Sequence, residues 1–267
     1  MCPVASPRAA TTCRGNAPLA SNCFDAFEVK LARWLRQTAC SPVASYAIMD
    51  SAKCYERRPM AERILGQSLE QFAAVLAAKE PAPGGGGVAA YAGALAAALC
   101  SMVGNFTTGK KTYAAVEADV QRMLAEGEAV RRRLIDLVQE DADAFIPLSR
   151  AYAIPKDDPM RATMLEEATK RACAAPLEMM RQICHAIELL EEMGEKGSRM
   201  LVSDIGCGAL MARAALEAAS INVFVNTRSL KDASYAHAIE DEVDQMLEEF
   251  IPRAQACFEG VMKRIRG

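Results

Sequence analysis

The sequence predicts an all-α fold, an up-and-down bundle of long, partly bent helices with an Ala/Gly-rich central helix. Three observations carry this expectation. Apolar residues recur at three- and four-residue steps over most of residues 68–267, alternating strand patterns are almost absent, and residues 88–106 run on without a single charge.

The chain has 267 residues, 51% of them hydrophobic and 6% aromatic, which is apolar material enough for one large core. Its charge is unevenly divided. Residues 1–66 hold nine of the 31 Lys/Arg and five of the 34 Asp/Glu, leaving 22 basic and 29 acidic residues, a net charge of −7, for the rest. The expected organisation is a poorly ordered or appended N-terminal segment, 1–66, followed by a helical domain, 67–267. Residues 1–48 carry Pro3, Pro7, Pro18 and Pro42 among many Ser, Thr and Ala, with one short helix expected over residues 24–34. No apolar stretch there precedes a small-residue cleavage site, so a cytoplasmic protein is expected.

An acidic body argues against a nucleic-acid partner, which needs clustered Lys and Arg on one face. The ten cysteines include no Cys-x-x-Cys pair, and His185 and His237 are the only histidines. Reduced thiols and no metal are therefore expected. Cys100, Cys173 and Cys207 stand among apolar and alanine residues, where a free thiol acts as a small hydrophobe.

Taken in order, Ser68 is an N-cap for a short helix carrying Phe72, Val75 and Leu76, which ends before Pro81 and Pro83. After the glycine run at 84–87 comes the uncharged segment 88–106. It is long enough to span a bilayer. Alanine dominates it, however, and Tyr91, Ser101 and Asn105 interrupt it, so a core helix surrounded by its neighbours is expected rather than a membrane span. A long helix over residues 115–151 places Val116, Val120, Met123, Val130, Leu134, Leu137, Phe145 and Leu148 on one stripe. Residues 161–193 form another, bent or split near Pro176, and 194–197 a loop. Ser203 or Asp204 starts an Ala-rich helix to Ala219. A short run at 222–226 then precedes a last helix from Ser229, bent near Pro252.

Several positions break the pattern. Asp141 falls on the apolar stripe between Leu137 and Phe145; a carboxylate there is either paired, hydrogen-bonded or functional, or lies at the solvated margin of the stripe. Asp143 points to the opposite face. Gly84, Gly85, Gly86 and Gly87 precede a helix, so their N–H groups suit an anion, although four glycines are also simply a turn. Without a preceding strand or a Gly-Lys-Ser/Thr ending the run is no nucleotide loop. Lys110 and Lys111 either neutralise the carboxyl end of the uncharged helix or receive an anionic ligand. Asp204 at a helix start is explained by capping alone. Asn222 and Asn226 flank Val-Phe-Val and either hydrogen-bond a heteroaromatic ring or belong to a buried turn. His185 and His237, in charged helical surroundings, read as surface residues.

Taken together, Pro-Ala-Pro-Gly-Gly-Gly-Gly-Val-Ala-Ala at 81–90, Gly-Lys-Lys-Thr-Tyr at 109–113, Glu-Asp-Ala-Asp-Ala-Phe at 140–145, Val-Ser-Asp-Ile-Gly at 202–206 and Asn-Val-Phe-Val-Asn at 222–226 resemble the cyclodeaminase/cyclohydrolase family. The match covers about three quarters of the chain, in order. That family includes the deaminase half of formiminotransferase-cyclodeaminase and stand-alone methenyltetrahydrofolate cyclohydrolases. The resemblance implies an all-helical homodimer that binds a folate, polyglutamylated in the expected form, and acts at 5,10-methenyltetrahydrofolate. Tetrahydrofolate is the one-carbon carrier, with no metal and no nucleotide. It further implies Asp141 or Asp204 as general acid/base, Lys110 or Lys111 on the tail carboxylate, and the 84–87 amides, Tyr113, Asn222 and Asn226 around the ligand. Where the family usually has Ser this chain has Gly87, which removes one hydroxyl, and residues 1–60 have no counterpart. The alternative is a non-catalytic helical folate-binding or oligomeric scaffold protein of the same fold.

Overall fold

In the computed structural model, residues 64–267 are described; the expectations for residues 1–63, including the helix at 24–34, lie outside them. Six α-helices follow one another: α1 Leu69–Leu76, α2 Gly85–Asn105, α3 Glu117–Tyr152, α4 Arg161–Lys196, α5 Val202–Thr227 and α6 Ala233–Arg266. Short 3-10 turns occupy Ile64–Gly66, Lys111–Val116 and Arg199–Leu201, and no strand occurs among the described residues.

Local chemistry accounts for the helix starts. Ser68 caps α1 as expected, its hydroxyl accepting from the Gln71 N–H while the Gln71 side chain accepts from the Ser68 N–H. Asp232 caps α6 by accepting from the Tyr235 N–H at 3.1 Å, and Lys170 holds that carboxylate from α4 at 2.6 Å. α6 therefore begins at Ala233 rather than at Ser229.

Two breaks expected from the sequence are absent. α4 continues through Gly194 to Lys196, because one glycine inside a strongly amphipathic helix costs only about 1 kcal/mol. α5 continues through 222–226: no Gly or Pro lies between Ala219 and Asn226, Val223 is fully buried, and Asn222 donates to its own helix at Ala218 O, 2.8 Å away. Asn222 and Asn226 are thus helical residues, not members of a turn. At its other end α5 starts at Val202 after the 3-10 turn, so neither Ser203 nor Asp204 is the cap; Asp204 sits in the first turn, where its charge suits the helix dipole.

α2, α3, α5 and α6 form a curved layer in which α2 neighbours α3 and α5, and α5 neighbours α2 and α6. α4 lies behind it and touches all four. The largest fully buried side chains include Met179, Met180, Ile183, Ile187, Leu189, Leu190 and Met193 of α4. Against them α2 sets Ala89, Ala90, Gly93, Ala94, Ala96, Ala97 and Cys100, side chains small enough to let the two backbones approach closely. α2 is enclosed on the sides of α3, α4 and α5, but its fourth side remains open. α2 and the segment Arg199–Thr227 are each long and apolar enough to cross a membrane by length and composition, and 56% and 44% of their most apolar windows are buried inside the bundle.

The five described cysteines are free. Cys100, Cys173 and Cys184 are buried, and burial pushes their thiols up to about 12, 11 and 12, which leaves them protonated and unreactive. Cys207, expected among core alanines, is exposed on α5.

Candidate functional site

The glycine run is the first turn of a helix. Gly84 is the N-cap of α2, and Gly85, Gly86 and Gly87 are its first three residues. No side chain caps this end, so its amide groups are available to other elements and to ligands.

Asp141 arrives from α3. A Cβ placed on Gly86 would lie 2.5 Å from both Oδ1 and Oδ2 of Asp141, so the carboxylate occupies the space that a larger residue at 86 would take from it. The Gly87 N–H donates to it. Both sequence readings of Asp141 are partly realised: the core stripe passes through Val138 and Ala142, Phe145 turns outward, and Asp141 lies half-buried at the margin of the stripe, against α2. Burial drives its pKa from 3.8 up to about 6, with the Gly87 hydrogen bond opposing the shift.

Asn222 of α5 closes a third side, its carboxamide 3.7 Å from the position a Cβ on Gly85 would take. Its Nδ2 is committed to Ala218 O, which leaves Oδ1 as an acceptor. Asn226, one turn further on, donates to Ala172 O of α4 at 3.0 Å and ties α5 to α4.

Lys110, Lys111, Tyr113 and Asp204 are not part of this cluster. α2 separates the glycine turn from Lys110 by its whole length, 21 residues or about 30 Å, and Asp204 lies 18 residues from Asn222 along α5, about 27 Å. They gather instead at the opposite end of the bundle. There Gly109 adopts a left-handed φ of 73°, and Glu117 holds the turn by accepting from the Gly109 N–H at 2.9 Å and from the Thr108 hydroxyl. The turn presents Lys110 and Lys111 to solvent. Beside them the Tyr113 hydroxyl accepts from the Arg199 N–H at 3.2 Å; that bond, with help from Ser198 and the charges of Lys110 and Arg199, lowers the phenol's pKa. The Ser198 N–H in turn donates to Thr107 Oγ1 at 2.8 Å. Arg199 was not among the residues singled out in the sequence, since only the fold brings it next to Tyr113.

The described chain is thus an all-helical protein with a half-buried carboxylate, its pKa raised by burial, set against a helix start that no side chain caps and that glycines line. The formiminotransferase-cyclodeaminase family pattern matches residues 68–245, and the chain belongs to that family. It is 38% identical over 203 residues to the methenyltetrahydrofolate cyclohydrolase of Methylorubrum extorquens, covering 74% of this chain and 98% of that protein. It is 30% identical to the formimidoyltransferase-cyclodeaminase of Mus musculus over 70% of this chain, and that match spans 36% of the mouse protein. Among solved structures, a formiminotetrahydrofolate cyclodeaminase of Thermotoga maritima superposes with a TM-score of 0.66 at 32% identity, over 75% of this chain and 96% of that one. The resemblance seen in the ordered motifs is therefore one of family membership, and it extends to the fold.

Proposed function

We propose that this protein is a one-carbon folate enzyme acting at the carbon that bridges N5 and N10 in 5,10-methenyltetrahydrofolate, with Asp141 as its general acid/base. Hydrolysis of the methenyl compound is placed first and cyclodeamination of formiminotetrahydrofolate second. The observation that carries the reading is the Asp141 carboxyl, half-buried against Gly86 with a pKa near 6, so that it exists in both protonation states near neutral pH. Support for the substrate comes from the two relatives that match almost end to end, one named a cyclohydrolase and the other a cyclodeaminase.

In hydrolysis, Asp141 takes a proton from water as its oxygen bonds to the methenyl carbon. As the C=O forms and the bond to one nitrogen breaks, that nitrogen receives the proton from Asp141 and the adduct's hydroxyl gives up its own to solvent, so the formyl product appears with the net release of one proton. In deamination, N10 attacks the formimino carbon, loses its proton to the carboxylate, and ammonia leaves with a proton returned by the acid. Either sequence asks one group to accept and then donate a proton at one carbon. In this reading the Gly85 and Gly86 amides and Asn222 Oδ1, which stand at the same helix start, orient the heterocycle. The reading places the enzyme in the cytoplasm as a homodimer using polyglutamylated folate.

The test is direct. Purified protein is expected to accelerate the loss of methenyltetrahydrofolate absorbance, and ammonia release from formiminotetrahydrofolate separates deaminase from hydrolase; no acceleration and no ammonia would sink both. Gly87→Ser, which restores the hydroxyl usual in the family, is expected to be accommodated. A Cβ there would stand 3.4 Å from Pro83 Cβ and 3.6 Å from Val138 Cγ1, both ordinary contacts. Exchanging glycine for serine within a helix favours folding by roughly 0.5 kcal/mol, and an added ground-state hydrogen bond lowers KM more than it changes kcat. Thermal melting and steady-state kinetics check both.

A further inference from the structure

Phe145 stands where the sequence places a core side chain, yet it is 40% exposed, whereas Ala142 and Leu148, three residues to either side, are buried. Its level along α3 accounts for this. Cβ atoms on Gly104, Gly93 and Gly86 would meet Leu124, Leu134 and Asp141 in turn, so α2 and α3 run antiparallel and each step along one is a step back along the other. The turn of α3 that follows Asp141 is therefore level with residues 82–83, ahead of Gly85, the first helical residue of α2. α2 has no turn there to cover Phe145. Pro83 folds back instead: its Cβ is 3.4 Å from the position of a Cβ on Gly87, beside Val138. A Cβ on Gly84 would meet no atom of the described residues within 4 Å apart from its chain neighbours, so the space beside the helix start is open. Phe145 borders that space on the same face of α3 as Asp141, one turn or about 6 Å along the axis.

We propose that Phe145 is a specificity residue of the Asp141 site, its ring the platform against which the aromatic amine carried on N10 of the folate stacks. That the ring belongs to a folate rests on the reading above; that an aromatic ligand is held beside Asp141 rests on the geometry. The substrate's own chemistry sets the distances. The reacting carbon is bonded to N10, and N10 is bonded directly to a benzene ring, so a carboxyl in reach of that carbon has the ring within a helical turn of it. Phe145 is the side chain one turn away on the same face. The two ends of the ligand also ask for different surfaces. The pterin carries hydrogen-bond donors and acceptors along its edge, which the open Gly85 and Gly86 amides and Asn222 Oδ1 can meet. The benzene ring offers only its face and edge, and another aromatic ring suits both. Holding it fixes N10 relative to Asp141, so the stack positions the reacting carbon as well as selecting an arylamine. An exposed aromatic residue taken singly means little. Tyr152 is such a residue: it is 54% exposed on α3, about 16 Å beyond Asp141 and out of its reach.

Steady-state kinetics and ligand NMR on the full chain test this. Phe145→Ala is expected to raise KM for methenyltetrahydrofolate by about tenfold or more, with a smaller loss in kcat and no change in the pH at which kcat/KM levels off. Phe145→Tyr is expected to recover most of that loss, and Phe145→Leu, apolar but not aromatic, only part of it. Tyr152→Ala serves as the control and is expected to behave as wild type. Because the Phe145 side chain is exposed, its variants are expected to melt within a few degrees of wild type, which keeps the kinetic comparison clean. The stack itself is read with 4-aminobenzoylglutamate, the arylamine half alone. Its aryl proton signals are expected to move upfield on binding to wild type and to lose that movement with Phe145→Leu. An unchanged KM in Phe145→Ala, a Phe145→Leu protein equal to wild type, or an upfield shift that Phe145→Leu retains overturns the proposal. Absence of folate turnover in the wild type instead sinks the folate reading; the upfield shift then decides whether Phe145 holds an arylamine, and a probe that does not shift overturns the stack as well.

Discussion

Asp141→Asn is expected to lower turnover by about 10²- to 10⁴-fold, the usual contribution of a positioned acid/base, while making the protein more stable at neutral pH. The sign of the stability change follows from the proton balance. In the folded state the Asp141 carboxyl has its pKa raised from 3.8 to about 6, so the native protein holds that proton more tightly than the unfolded chain. Wild-type stability from this group is full below about pH 4 and declines as pH rises through 6. A shift of this size corresponds to roughly 3 kcal/mol, taken as an upper bound. Asparagine keeps an acceptor for the Gly87 N–H and never ionises. Its melting temperature should therefore match that of wild type near pH 4 and exceed it by several degrees above pH 6. In the wild type kcat/KM for hydrolysis should climb with pH and level off above about 6, as the carboxylate form is populated. An inactive variant that melts lower than wild type at pH 7.5 would mean that the carboxylate is a structural brace.

Most of the fold was legible because it rests on short-range patterns. The 3.6-residue periodicity defines α3 and α4, and the Ser68/Gln71 capping box defines the start of α1. Helix ends were less legible where tertiary contacts override local preference. Buried Val223 carries α5 through its asparagines, and Glu166, accepting from the backbone N–H groups of Lys231 and Asp232, holds the turn before α6. The candidate site divides in the same way. A polar residue on an apolar stripe identified Asp141, since burying charge is costly enough to need a reason. Nothing local says that Lys110 and Asn222 stand at opposite ends, because their distance depends on the direction of α2 and α5 in the bundle. The exposed apolar residues on and beside those helices were visible in principle: Val88, Leu95 and Phe106 in one row and Leu210, Ile221 and Val225 in the other follow four-, seven- and eleven-residue spacings. An apolar residue in a sequence, however, does not tell whether its own chain or another one will cover it.

Gly86 gives the second large expected effect. In the substituted protein Gly86→Ala, the new Cβ would stand 2.5 Å from both carboxylate oxygens of Asp141, a distance that no relaxed structure keeps. The flexible end of the Asp141 side chain must move. Overpacking of this kind costs about 1–3 kcal/mol, and displacing a catalytic group by about 1 Å costs about a hundredfold in rate. Elsewhere in a helix the same exchange would be favourable by up to about 1 kcal/mol, so the sign of the change is itself diagnostic. A double-mutant cycle isolates the contact: in an Asp141→Ala background, where the oxygens are gone, Gly86→Ala should become neutral or stabilising in urea unfolding. Equal destabilisation in both backgrounds would assign the cost to the α2 backbone and remove the close packing of carboxylate on glycine from the account. If the coupling is found, the glycine has a function that the flexibility of a four-glycine run does not supply. It leaves room for a carboxylate half-buried against a helix start, where desolvation raises its pKa and one backbone N–H holds it in place.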